Sequence, residues 1–272
     1  MSRLDNIMER PFSKTIQWKN EKYSKQLKKV VQEKGWHYYQ KSEVEGEKGV
    51  NIALEEPIKG LWLTSATSFT GFNEEKQQSI YSNEVLNESD LKRIFPKTST
   101  ENLDEYAKRL KSYSILTAKL GKEVIAEGLY KDIKDTVTSK SVGGKYCQPN
   151  YFLLIKPDGT TEIVRFLFSG GSIETWIPFC KFKKQLIDKA VLFTGSAERS
   201  KGAVDYEVPL FEFVEADKKY LQEANKAAQL MDDYFKFLLS NTKEETPALE
   251  EATTEYNEDL PDFDGKSEDA PF

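Results

Sequence analysis

Apolar and polar residues alternate most clearly in two stretches, Tyr146 to Lys156 and Thr161 to Phe168, which flank Pro157-Asp158-Gly159-Thr160. Proline presets φ at the first turn position and glycine supplies the positive φ that follows, so the segment predicts a β-hairpin. A second hairpin is expected from Lys111 to Leu120 and Glu123 to Tyr130 around Gly121-Lys122, and a further strand from Gly60 to Phe69. Ala190 to Ala197 and Val204 to Val214 read as two more strands, closing around Arg199-Ser200-Lys201-Gly202. Helical spacing marks four segments. Residues 18 to 34 place Tyr23, Leu27, Val30 and Val31 on one side; residues 101 to 110 form another helix; Ser172 to about Phe182 is a third, capped by Ser172. The fourth runs from about Asp217 to Ser240 and is amphipathic through Leu221, Ala224, Ala227, Met231, Tyr234, Phe235 and Leu238. Between the elements, Asn73 to Pro96 reads as a polar loop with short helical pieces.

Strands, then a helix, then two strands is the element order of an OB-fold, a five-stranded barrel with a helix between its third and fourth strands. The expected class is therefore mainly β with flanking helices (α+β). An OB-like barrel with an N-terminal helical extension and a C-terminal helix would occupy residues 1–242, followed by a disordered acidic tail over 243–272. With 38% hydrophobic but 12% aromatic residues, the composition favours exposed rings.

Charge divides the chain at the same place. Of 39 basic and 45 acidic side chains, residues 243–272 hold two and eleven, leaving 37 and 34 for the rest. A weakly cationic body joined to a strongly anionic end suits a protein that holds a polyanion, with its own tail competing for the same groove. The plain alternative is a solubilising tail. Against it stands a near-repeat, Asp259-Leu260-Pro261-Asp262-Phe263 and Glu268-Asp269-Ala270-Pro271-Phe272. Proline lowers the ordering cost of a docking peptide and phenylalanine offers apolar area, so Asp259, Asp262, Phe263, Glu268, Asp269, Pro271 and Phe272 are expected to meet a basic, apolar pocket on a partner.

That acidic end closing on Pro-Phe resembles the tails of bacterial and bacteriophage single-stranded-DNA-binding proteins. The resemblance covers about the last fifteen residues and departs in having Ala270 where a larger apolar residue is commoner. It implies recruitment of polymerases, helicases, primases, nucleases or other recombination proteins, and a cytoplasmic setting, the host cytoplasm for a phage protein.

Other chemistry is thinly supplied. One histidine, His37, and two distant cysteines, Cys147 and Cys180, offer no tetrahedral zinc site and little scope for a histidine-activated nucleophile. Gly143-Gly144-Lys145 and Ser169-Gly170-Gly171-Ser172 lack phosphate-loop spacing. His37 reads as an ordinary packed or surface residue. Scarce cysteine fits a reducing compartment, and no segment approaches the ~20 apolar residues that span a bilayer. No enzymatic activity and no cofactor is expected.

Single-strand binders combine cations for phosphates with rings for bases. Lys140, Lys145 and Tyr146 surround a diglycine; Tyr151 and Arg165 lie on the central hairpin; Phe69 belongs to a Thr/Ser-rich strand with Trp62 and Phe72; Lys183 follows a helix, beside Lys181 and Lys184; Arg199 and Lys201 sit in the last hairpin. For each ring taken singly, core packing is the plain reading. The expected function is sequence-tolerant binding and protection of single-stranded DNA, as monomer or dimer, with partners called by the tail. A strand-annealing protein, a non-DNA adaptor and a carboxylate-metal nuclease are the competing readings.

Overall fold

The computed structural model describes residues 8–24, 28–40, 49–202 and 204–241. In chain order the strands are β1 (Thr15–Lys19), β2 (Lys22–Ser24), β3 (Lys29–Gln32), β4 (Gly35–Gln40), β5 (Val50–Ala53), β6 (Ile58–Asn73), β7 (Gln78–Ser82) and β8 (Val85–Leu86). They continue with β9 (Leu116–Leu120), β10 (Glu123–Gly128), β11 (Gly144–Ile155), β12 (Thr161–Ser169), β13 (Ala190–Lys201) and β14 (Val204–Val214). The helices are α1 (Glu88–Ile94), α2 (Leu103–Ser112), α3 (Tyr130–Val137), α4 (Gly171–Cys180), α5 (Lys183–Asp188) and α6 (Lys218–Asn241).

β6 is the organising strand. Its sixteen residues are too long for one neighbour, so one side pairs with β11 while the other is shared by β13, β8 and β7 in turn. The main sheet runs β10-β9-β7-β6-β11-β12-β1-β4-β5, with β13 and β14 branching from the start of β6. Every pairing is antiparallel except β1 with β12, which is parallel. The β11–β12 hairpin forms as the alternation predicts, with Gly159 at φ +80° in its turn.

A closed barrel does not form among the described residues. β1 occupies the edge of β12, and β14 remains an outer strand. The curled sheet instead brings β1 and β14 together through side chains: the Trp18 indole donates to the Glu207 carbonyl (3.0 Å), and Lys34 pairs with the Glu207 carboxylate (2.9 Å). The expected barrel is thus corrected to an open, strongly curved sheet.

Alternation gives this sheet two packed faces. On the concave face Trp36, Phe152, Phe166, Phe168, Trp176 and Phe193 form an aromatic core. Trp176 of α4 stacks on Phe168 at 4.5 Å and 2°, while Trp36 meets Phe166, Phe168 and Phe193 edge-on. Fully burying such a ring contributes roughly 1.5–3 kcal/mol. The convex face carries Leu61, Tyr151 and Leu153, covered by Ala224, Ala227, Met231, Phe235 and Leu239 of α6. A third cluster, with Phe69, Ile80, Leu116 and Leu120, packs under Ile133 and Val137 of α3.

Several local expectations are corrected. Residues 18–34 are not a helix: β1 ends there and β2 pairs with β3 as a hairpin. The polar segment after Asn73 contains an expected short helix, α1, but also the strands β7 and β8. Leu103–Ser112 is helical, so the strand expected from Lys111 begins only at Leu116. Tyr130 opens α3 rather than closing β10. Ser172 does not cap α4. Gly170 holds that position, and the Ser172 hydroxyl donates to the Ser169 carbonyl (2.8 Å) and accepts from the Ser169 amide (3.0 Å).

Candidate nucleic-acid interface

The concave face has two covers with a crevice between them. Along β6 and β11, Trp62, Ser65, Thr67, Tyr146, Gln148 and Asn150 share this face, as the pairs Asn150–Ser65, Tyr146–Phe69 and Phe152–Trp62 require. All six except Asn150 are half-buried. α4 covers one side: Trp176 stacks on Phe168, whose cross-strand partner is Gln148. α3 covers the other: Tyr130 stacks on Phe69 at 5.4 Å and meets Tyr146 edge-on at 5.3 Å. Glycine permits that approach, because a Cβ on Gly144 would lie 2.5 Å from the Val137 carbonyl.

The crevice floor is polar and aromatic. The Trp62 indole donates to Asn150 Oδ1 (3.0 Å), and Asn150 Nδ2 donates to the Gln148 carbonyl (3.0 Å). Gln148 Oε1 is buried and has no hydrogen-bond partner among the described residues. Burial pushes the Tyr146 phenol well up; its bond with Thr67 opposes the shift, while Tyr130, Cys147 and Cys180 add to it. Cys180 ends α4, and its thiol donates to the Ile177 carbonyl (3.2 Å). Burial likewise raises the Cys180 thiol, against the pull of Lys183 and Lys181. These two lysines flank Phe182, which is 59% exposed, with Ile187 beyond it 62% exposed. Lys181, Lys183 and Lys184 form no ion pair among the described residues.

The convex face contrasts at each point. Phe12 packs edge-on to Tyr151 (5.3 Å) and to Tyr234 of α6 (6.1 Å), and the Ser13 amide donates to the Ile163 carbonyl (3.0 Å). Beneath them Glu84 accepts from the Tyr151 hydroxyl and pairs with the Arg165 guanidinium.

The expected residues are thus divided. Tyr146 lies under α3, against Tyr130, while Lys183 opens α5 just past the end of α4. Lys145 lies on the strand next to Tyr146 and so faces the other side of the sheet. Lys140 is exposed in the loop between α3 and β11. Arg199 and Lys201 are exposed at the β13–β14 end, where Arg199 opposes the burial-driven rise of the Tyr206 phenol, itself bonded to Glu174 of α4 (3.2 Å). Tyr151 and Phe69 are each 1% exposed, so neither ring offers a platform, and Arg165 is committed to Glu84. Asp259, Asp262, Phe263, Glu268, Asp269, Pro271 and Phe272 lie outside the described residues.

Sequence reasoning missed Tyr130, Gln148, Cys180 and Phe182. The Lys-Phe-Lys-Lys run at 181–184 was a readable signal for the last; the others depend on how α3 and α4 land on the sheet. His37 is buried, with Nε2 3.0 Å from the Glu33 carbonyl. Among the described residues no group of three histidine, cysteine or carboxylate side chains could hold a metal ion, and no helix is long and apolar enough to cross a membrane. Comparison with protein-family models, curated proteins and solved structures returns no match.

Proposed function

We propose that this protein binds and protects single-stranded DNA without strong sequence preference, and that residues 243–272 recruit replication or recombination proteins. The observation that carries the reading is the strand order β12-β11-β6-β13-β14, with α4 and α5 inserted between β12 and β13. This order resembles the connectivity of the five OB strands and their helix, with the sheet left open where β1 takes the edge of β12. OB-type sheets bind single strands through cations and ring faces, each stacked base contributing about 1–3 kcal/mol. Lys181 to Lys184, Arg199 and Lys201 supply exposed positive charge on the same half of the molecule as α4. The acidic terminus supplies the matching anion, and the resemblance of its Pro-Phe ending to single-stranded-DNA-binding proteins points the same way.

The test is oligo-dT affinity across a salt series, for the full chain and for a chain ending at Asp259. Supporting results are affinity that falls steeply with salt, as counterion release demands, and equal or tighter binding after truncation with loss of partner capture. No shift of labelled oligo-dT at low ionic strength overturns the reading. Consumption of the probe with magnesium would favour the nuclease, and accelerated pairing of complementary strands the annealing protein.

A further inference from the structure

An OB-type sheet commonly offers the outer face of its second and third strands to nucleic acid. Here the corresponding face, on β11 and β12, is closed. Tyr151, Leu153 and Ile163 lie beneath α6 and Phe12, and Arg165 close by is bound to Glu84. A strand placed there would have to displace Met231 and Phe235, both essentially inaccessible to solvent.

Resting on the function proposed above, we infer that the unpaired strand enters the concave side instead, in the crevice between α3 and α4. Three independent features of that crevice suit a nucleotide chain. Its floor is built of rings and hydrogen-bonding groups: Trp62, Tyr146 and Tyr130 beside Ser65, Thr67 and Gln148. Gln148 Oε1 is a buried acceptor without a donor among the described residues, and a base edge carries N–H groups that could satisfy it. At the end of α4, Lys181 and Lys183, neither held by a carboxylate among the described residues, flank a ring more than half exposed. Bases would stack inside while phosphates run past the lysines, a division that requires no particular sequence.

Cys180 makes the site testable without a substitution. The chain has only two cysteines, Cys147 is buried and Cys180 is partly exposed at the end of α4. Saturating oligo-dT should slow alkylation of Cys180 by N-ethylmaleimide several-fold, and an oligonucleotide carrying 5-iododeoxyuridine should crosslink to peptides containing Trp62 or Tyr146. Because Lys181 and Lys183 are exposed, Lys181→Glu with Lys183→Glu should preserve the fold, checked by an unchanged thermal midpoint, and weaken dT binding at least tenfold. In contrast, Lys219→Glu on the exposed side of α6 should leave affinity within twofold. If wild-type protein binds oligo-dT but Cys180 is not protected and the double charge reversal binds normally, the location is wrong while the function stands. If wild-type protein binds no oligo-dT, both fall together.

Discussion

The two faces of the central sheet are made from the same strands and teach opposite lessons. On the convex face the principal polar groups converge, Tyr151 and Arg165 on Glu84, and α6 seals most of what remains, with the Thr64 hydroxyl left without a hydrogen-bond partner among the described residues. On the concave face a close-packed aromatic core gives way, within the length of β11, to half-buried rings, hydroxyls and an amide with an unmatched oxygen. An unsatisfied buried acceptor costs stability that a ligand's donor can restore, which is what the proposed binding would do at Gln148.

This contrast can be broken most severely at Trp176. Trp176→Ala removes the ring that stacks on Phe168 and anchors α4, and should cost about 3–5 kcal/mol, read from the urea midpoint. A loss below about 1 kcal/mol would mean that the concave core does not hold α4 in place. On the convex face, Glu84→Gln keeps an acceptor for Tyr151 but strips Arg165 of its counter-charge. At about 20% side-chain exposure for Arg165, the expected cost is about 2 kcal/mol. Oligo-dT affinity measured on the same variant should not change if the convex face takes no part in binding.

A smaller effect is expected at α2, part of the cover over the convex face. Asn102 accepts from the Glu105 amide (2.9 Å) and Glu105 accepts from the Asn102 amide (3.0 Å). Asn102→Ala should therefore cost about 1 kcal/mol without altering DNA binding. The gentlest probe is pH. Burial holds the His37 imidazole below the ordinary histidine range, Lys19 adds to this, and the Glu33 carbonyl opposes it. Because the folded pKa is the lower one, His37 contributes stability that is fully present above about pH 6.5 and declines as pH falls toward the folded value. With a single histidine in the chain, His37→Gln should flatten the fall in thermal midpoint between about pH 7.5 and about pH 5.5. An unchanged slope would show that the imidazole is not held neutral by the fold.

How far the sequence disclosed this arrangement depended on the range of the forces involved. The β11–β12 hairpin, the β13–β14 pair and α6 were legible because alternation, turn chemistry and helical spacing are local. Residues 18–34 misled because Tyr23, Leu27, Val30 and Val31 fit a helix period, while Trp18 and Trp36 are held in the aromatic core and force the chain between them to turn back. α3 left a fainter trace, Ile133 and Val137 one turn apart. Charge was the least legible. Arg165 reads as an available cation until Glu84, distant in sequence, is brought against it, and Phe69 and Tyr151 look like platforms until α3 and α6 are laid over them. Lys183 and Tyr146 could be named singly, but only the seating of α3 on Tyr146 and of α4 on Phe168 brings their surroundings onto the same face of the sheet.

The parallel contact of β1 with β12 has a consequence for the order of assembly. Ser13 lies beside Ile163, 150 residues further along the chain. On the ribosome β1 can pair with β4 early, Trp18 against Trp36, but its other edge has no neighbour until β12 has emerged, and domains generally fold as their units become available. The β1–β4 pair must therefore hold one open edge until the β11–β12 hairpin zips along it, and the two parts of the sheet are joined only then.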